Sequence, residues 1–193
     1  MNARVSPFKP FDGLRQPLSD TLPDATFPSP ASSPKLDSVD LMILDALQSD
    51  GRMTNVDLAR RVGISPPPCL RRVRALEEAG VIQGYRALVD AKSVGYGIVS
   101  FAFVHLEIQS EPELAAFAAR IKSWKNVRES WTLSGDIDFI LKCISPDMAA
   151  FQAFVGELTA VPNVRNVRTS LALTKIKDEP LAAIDTAGRG DLP

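Results

Sequence analysis

The stretch Gly63-Ile64-Ser65-Pro66-Pro67-Pro68-Cys69-Leu70-Arg71-Arg72-Val73-Arg74-Ala75-Leu76 decides the reading of this chain. Gly63 suits the left-handed residue after a helix, and Ser65-Pro66 suits the opening of the next. With about 100° per residue, Cys69, Val73 and Leu76 share one narrow arc, which is a core-facing stripe. Arg71 points almost directly away from it, Arg74 sits on the outward side, and Arg72 flanks the stripe. The three prolines occupy the first turn, where backbone N–H groups have no intrahelical partner. A Ser65 N-cap normally accepts from residue 67 or 68, and neither has an N–H to give. Either the helix starts later or the Ser65 hydroxyl is left for a phosphate.

Upstream, Thr54 caps a short helix with Asp57 at its N3 position, and Leu58, Ala59 and Val62 form its buried stripe. Further back, Asp37 is a candidate N-cap for a helix over about 38–48, with Val39, Ile43 and Leu47 at helical spacing. Three helices with a tight turn between the second and third make a helix-turn-helix, the motif spanning about 55–74. Six arginines lie from Arg52 to Arg74 against one acid, Asp57, in a chain of net charge -1. Such local concentration is the footprint of a duplex binder. Arg71 and Arg74 are the candidates for the major groove, where an arginine can bond two acceptors on a guanine edge. Arg72 is read as reaching a phosphate or an intramolecular acid. The competing reading is a solvated face, with Glu77 and Glu78 pairing with the arginines.

Downstream, Ile82–Asp90 reads as a hairpin or extended exit, and residues 91–97 as a Gly-containing linker. A second pattern follows: strand Val99–Ile108, helix Glu111–Ile121, strands Val127–Leu133 and Ile137–Ile144, a helix from Ser145-Pro146 through Leu158, and strand Val164–Ile176. The order β-α-β-β-α-β is the ferredoxin-like split βαβ. The fold class is therefore α+β. Phe101, Phe103 and His105 share one face of the first strand, and Ala102, Val104, Leu106 and Ile108 the other. Helices cover one face, and a second subunit is the natural cover for the other. Residues 1–35 hold seven of the fifteen prolines without hydrophobic period and read as a disordered tail. Residues 178–193 read as a polar tail.

The remaining composition narrows the function. The 193 residues suffice for two small domains, and 45% apolar with 23% charged residues is ordinary for a soluble globular chain. No run approaches a membrane span, and the prolines near the N-terminus replace the apolar run of a signal peptide. Two cysteines and a single histidine give no metal cluster and no nucleophile–base pair at readable spacing. The expectation is no enzyme, no catalytic residue, no metal and no cofactor, in a cytoplasmic protein.

The residues also resemble a known family. Leu36-Asp37-x-x-Asp40-x-x-Ile43-Leu44, Asp50-Gly51-Arg52, Leu58-Ala59-x-x-Val62-Gly63-Ile64-Ser65-Pro66-x-Pro68-Cys69-x-x-Arg72-Val73-x-x-Leu76-Glu77 and Gly80-Val81-Ile82-x-Gly84-Tyr85 are similar to the leucine-responsive/asparagine regulator (Lrp/AsnC) transcription factors. Ser134-Gly135-Asp136-x-Asp138 resembles a loop of that family's regulatory domain. The resemblance covers about residues 36–177. It implies a prokaryotic regulator with a winged helix-turn-helix domain over 36–90, hinged to a regulation-of-amino-acid-metabolism (RAM) domain over 98–177. Implied partners are double-stranded DNA, an amino acid or related metabolite as effector, and further copies of the chain, in dimers that assemble to tetramers or octamers. The residues expected at DNA are Arg52, Ser65, Pro67, Arg71, Arg72 and Arg74. Those expected at the effector are Trp131, Gly135, Asp136 and Asp138. Pro67 stands where the family usually has a small polar residue, and residues 1–35 lie outside the resemblance. The alternative function is a nucleoid-associated protein that organises DNA with little sequence preference.

Overall fold

The computed structural model describes residues 34–186. The proline-rich segment singled out in the sequence lies outside them except for Pro34 and Lys35, as does the end of the C-terminal tail. Three helices come first: α1 (Ser38–Ser49), α2 (Asn55–Val62) and α3 (Pro66–Glu78). Asp37 caps α1 in a reciprocal capping box, its carboxylate accepting from the Asp40 N–H at 2.9 Å while Asp40 accepts from the Asp37 N–H at 3.1 Å. Thr54 caps α2, accepting from the Asp57 N–H and donating its hydroxyl to the Asp57 carboxylate at 2.6 Å. Gly63 closes α2 at φ 74°, a conformation that a Cβ would strain. Ile43, Ala46, Leu58, Ala59, Val62, Cys69 and Leu76 form the shared core, with Val73 packed against it.

The segment 82–90 contains no strand, so of the two sequence readings the extended exit is the one observed. A 3-10 turn at Lys92–Val94 interrupts the linker. The sheet half follows as β1 (Ile98–Leu106), α4 (Glu111–Ser123), β2 (Val127–Thr132), β3 (Phe139–Ser145), α5 (Met148–Thr159) and β4 (Val164–Leu171). All strand pairs are antiparallel, in the order β2-β3-β1-β4. Ala102, Val104 and Leu106 of β1 and Phe139, Leu141 and Cys143 of β3 pack with Phe117, Ile121, Phe154 and Leu158 of the helices. Among the described residues no helix covers the opposite face. There the register aligns Trp131, Ile140, Phe103 and Arg168 across four strands.

Several expected boundaries move, each for a local reason. β1 stops at Leu106, because the register shifts after His105 and the Ile108 N–H turns to the Asn163 side chain at 2.8 Å. β3 begins at Phe139 rather than residue 137. Ser145 ends β3 instead of opening a helix, and Asp147 caps α5 by accepting from the Ala150 N–H at 2.8 Å. β4 ends at Leu171 because β1 offers little partner beyond Val99, whose carbonyl takes the Ala172 N–H. Residues 172–176, expected as strand, leave the sheet, and Leu173 and Ile176 project into solvent.

Candidate nucleic-acid interface and effector loop

The outer side of α3 presents Pro67, Leu70, Arg71, Arg74, Ala75 and Glu78 along one shallow groove. Arg71 and Arg74 are exposed, and among the described residues neither has an ion-pair partner. The competing pairing with Glu77 and Glu78 is not made. Instead Glu77 accepts from the Tyr85 hydroxyl at 2.9 Å. Arg52 is exposed near the start of α2.

Arg72 behaves differently, although it lies between two such residues. Its guanidinium donates to Asp37 at 2.7 Å and to Asp40 at 2.8 Å, the two acids of the α1 capping box. Of the two sequence alternatives for Arg72, the intramolecular acid is what the structure contains. The arrangement ties the start of α1 to the middle of α3. It also holds the Asp37 carboxyl below its ordinary range, chiefly through the Asp40 N–H and then through Arg72.

α3 begins at Pro66, and the Ser65 side chain makes no cap hydrogen bond. Of the two alternatives for this start, the uncommitted hydroxyl is therefore the one seen. The first available amide, that of Cys69, bonds back to the Ser65 carbonyl at 3.3 Å. Asn55, at the start of α2, donates its side-chain amide to the Pro66 carbonyl at 2.9 Å, so α2 sets where α3 begins. Sequence reasoning missed Asn55, whose type carries no sign of a long-range bond. It missed Leu70 as well, an apolar side chain 39% exposed between Pro67 and Arg74. Its helical angle did place it off the core stripe.

In the sheet half, residues 133–138 join β2 to β3. Gly135 sits at φ 122°, where a side chain would be strained, and nothing lies within 4 Å of the position its Cβ would take. Asp136 is exposed, and Trp131, on edge strand β2, is 48% exposed. Asp138 is buried, at 7% exposure. One carboxylate oxygen accepts from the Leu106 N–H at 2.7 Å, and its own N–H donates to the Val104 carbonyl. Of the two acids expected at the effector, Asp136 or Asp138, the structure leaves Asp136 exposed and uses Asp138 to pin the bulged end of β1. Gly135 and Asp136 lie on the exposed part of the loop, Trp131 on the edge strand that leads into it, and Asp138 is directed inward.

Comparison with known proteins follows this division. Residues 36–83 match the winged helix-turn-helix DNA-binding model, and residues 100–182 match the Lrp/AsnC ligand-binding domain. A leucine-responsive regulatory protein of Rhizobium meliloti is 58% identical over 145 residues, covering 75% of this chain and 93% of the relative. The chain belongs to the Lrp/AsnC family. The Escherichia coli K12 leucine-responsive regulatory protein is 38% identical over 152 residues, 78% of this chain and 93% of its own length. A Neisseria meningitidis transcriptional regulator solved with L-methionine superposes with a TM-score of 0.74 at 36% identity, over 78% of this chain and 98% of that one. An AsnC-family regulator of Agrobacterium tumefaciens gives 0.73 at 33%, over 79% and 99%. This Lrp/AsnC member is accordingly a transcriptional regulator with a DNA-binding helix-turn-helix and a ligand-binding domain. Among the described residues no helix is long and apolar enough to cross a membrane, and no three His, Cys, Asp or Glu side chains cluster as metal ligands.

Proposed function

We propose that this regulator reads a specific operator through the outer face of α3, under the control of an amino acid held near the β2–β3 loop. The observation that carries the first half is the split among neighbouring arginines. Arg72 is spent inside the domain, while Arg71 and Arg74 face outward with no acid partner among the described residues. In the major groove each outward guanidinium can take both acceptors of a guanine, and Leu70 between them suits a thymine methyl. The exposed Arg52 and the uncapped Ser65 hydroxyl suit phosphates, which would position the helix without reading sequence. Pro67 contributes a rigid apolar contact only, having no N–H.

For the effector, Gly135 and the exposed Asp136 are the favoured contacts, with Trp131 as a wall. A carboxylate such as Asp136 can hold an ammonium by a charge-assisted bond. The L-methionine in the Neisseria regulator favours an amino acid over other metabolites. That its named relatives are regulators favours a non-enzyme. The helix-free sheet face, with Phe101, Phe103 and Ile140, favours self-pairing into dimers and larger assemblies. Two-fold pairing would place two α3 helices on half-sites of an imperfect palindrome, spaced by whole helical turns.

The test is a mobility-shift series on DNA from upstream of the neighbouring genes, run against random DNA at fixed salt, with and without each amino acid. The proposal expects tighter binding to one upstream site than to random DNA, with a shift in affinity on adding one amino acid. Equal affinity for all DNA would return the protein to the nucleoid-organising alternative. A full panel of amino acids without effect would remove the sensor half.

A further inference from the structure

Beside its core stripe α1 carries a second apolar face, whose Leu44 and Leu47 also border that core. Ile43 and Ala46 are fully buried in that core. Leu44 and Leu41 lie about 100° and 160° around the helix axis from Ile43, on a second face. Together with Val81 and Tyr85 they line an apolar cleft of about 400 Å³. Its far wall is residues 182–185 of the same chain. Gln48, on that face of α1, donates its side-chain amide to the Ala182 carbonyl at 3.0 Å, across 134 positions of sequence. From 171 to 186 every residue is exposed except Ile184, which lines the cleft. Leu173, Ile176 and Leu181, by contrast, are almost wholly exposed.

We infer that Ala182–Ile184 is a docking element whose receptor is the second face of α1, with Ile184 as its apolar anchor and the Ala182 carbonyl as its polar one. The occupant is the chain's own C-terminal segment. The thirteen steps from Leu171 to Ile184 span up to about 43 Å when extended, ample for the return. The sheet half is thereby tied to the helix-turn-helix twice, through residues 79–97 and through the segment after β4. A head held at two points has fewer orientations than one on a single hinge. That this matters for operator binding rests on the function proposed above, whereas the docking itself does not.

The full-length chain carrying Gln48→Cys with Ala182→Cys, treated with a short bifunctional thiol reagent, is expected to give an internally bridged monomer. The native Cys69 and Cys143 are fully buried and stay out of the reaction. Adding Ile184→Asp places a charge in the apolar cleft and is expected to lower that yield about tenfold. In the chain with Ile184→Asp as its only change, amide exchange across residues 41–48 should quicken while that across α4 stays constant. A yield and an exchange rate indifferent to Ile184→Asp would overturn the inference, and so would bridging found only between two chains. Neither readout involves DNA, so failure of the regulator reading would leave both intact.

Discussion

Arg72 and Asp138 make an instructive pair. Each belongs to a charged cluster that the sequence offered as a binding surface, and each is engaged by the fold instead, Arg72 by Asp37 and Asp40 and Asp138 by the Leu106 amide. In α3 the neighbours of Arg72 remain a coherent surface, because helical geometry throws Arg71 and Arg74 to the outside. In the β2–β3 loop the inward turn of Asp138 leaves Asp136 as the one outward carboxylate of its motif. A helix can divide its charges between structure and recognition at single-residue spacing and keep both. A six-residue loop that spends an acid on the fold loses it from the ligand side.

The largest effect should come from breaking the outward half of the first cluster. Arg71→Ala with Arg74→Ala is expected to lower specific operator affinity about a hundredfold or more, at about 1–3 kcal/mol for each bidentate contact. Thermal unfolding should hardly change. Arg72→Ala should do the converse, lowering the melting temperature of the helical half first and affinity only as a consequence. Equal loss of affinity in Arg72→Ala without loss of stability would erase the distinction between the three arginines.

Asp138→Ala should come next, destabilising the sheet half by about 2 kcal/mol because the Leu106 N–H loses a charged acceptor in a buried place. Asp136→Ala should stay within about 0.5 kcal/mol in urea unfolding, as exposed substitutions do, yet blunt the effector response. If Asp136 controlled stability and Asp138 the response, the roles drawn for the loop would be reversed.

Asp37→Ala is expected to cost about 1 kcal/mol through the lost cap. The same group provides a pH test. Its native carboxyl lies below the ordinary 3.8, so its contribution is whole above that value and fades as pH falls through the lower native one. Acid titration of helix content should therefore show a component below about pH 3.8 that Asp37→Asn removes. Smallest of all, Cys143 and Cys69 should resist a thiol reagent at pH 8 in the native state and react on unfolding. Burial pushes the Cys143 thiol up to about 12 and raises that of Cys69.

The comparison also shows where sequence was sufficient. The caps Asp37 and Thr54, the αL Gly63, the core stripe of α3 and the alternation of β1 follow from short-range rules, and all stand in the structure. The ends of strands were less legible. β4 stops at Leu171 because of how far β1 extends, which no property of Leu173 or Ile176 announces. The β2–β3 loop was least legible, since Asp136 and Asp138 are chemically identical and no period sorts a loop. Only the approach of the bulged end of β1 decides which of them is buried. The return of Ile184 to α1 belongs to the same class, as a contact between residues that share no local pattern.

The proline triplet has a consequence for how the protein would hold a duplex. A helix start is ordinarily an anion receptor, its free amides reaching for phosphate oxygens. Here residues 66–68 carry no amide hydrogen and the fourth is engaged, so that receptor is silent. On the proposed reading, phosphate grip would pass to guanidinium groups and one hydroxyl, which would make attachment dependent on counterion release and hence on ionic strength. The same three rings lock the backbone of the first turn, so its shape is already set before any encounter.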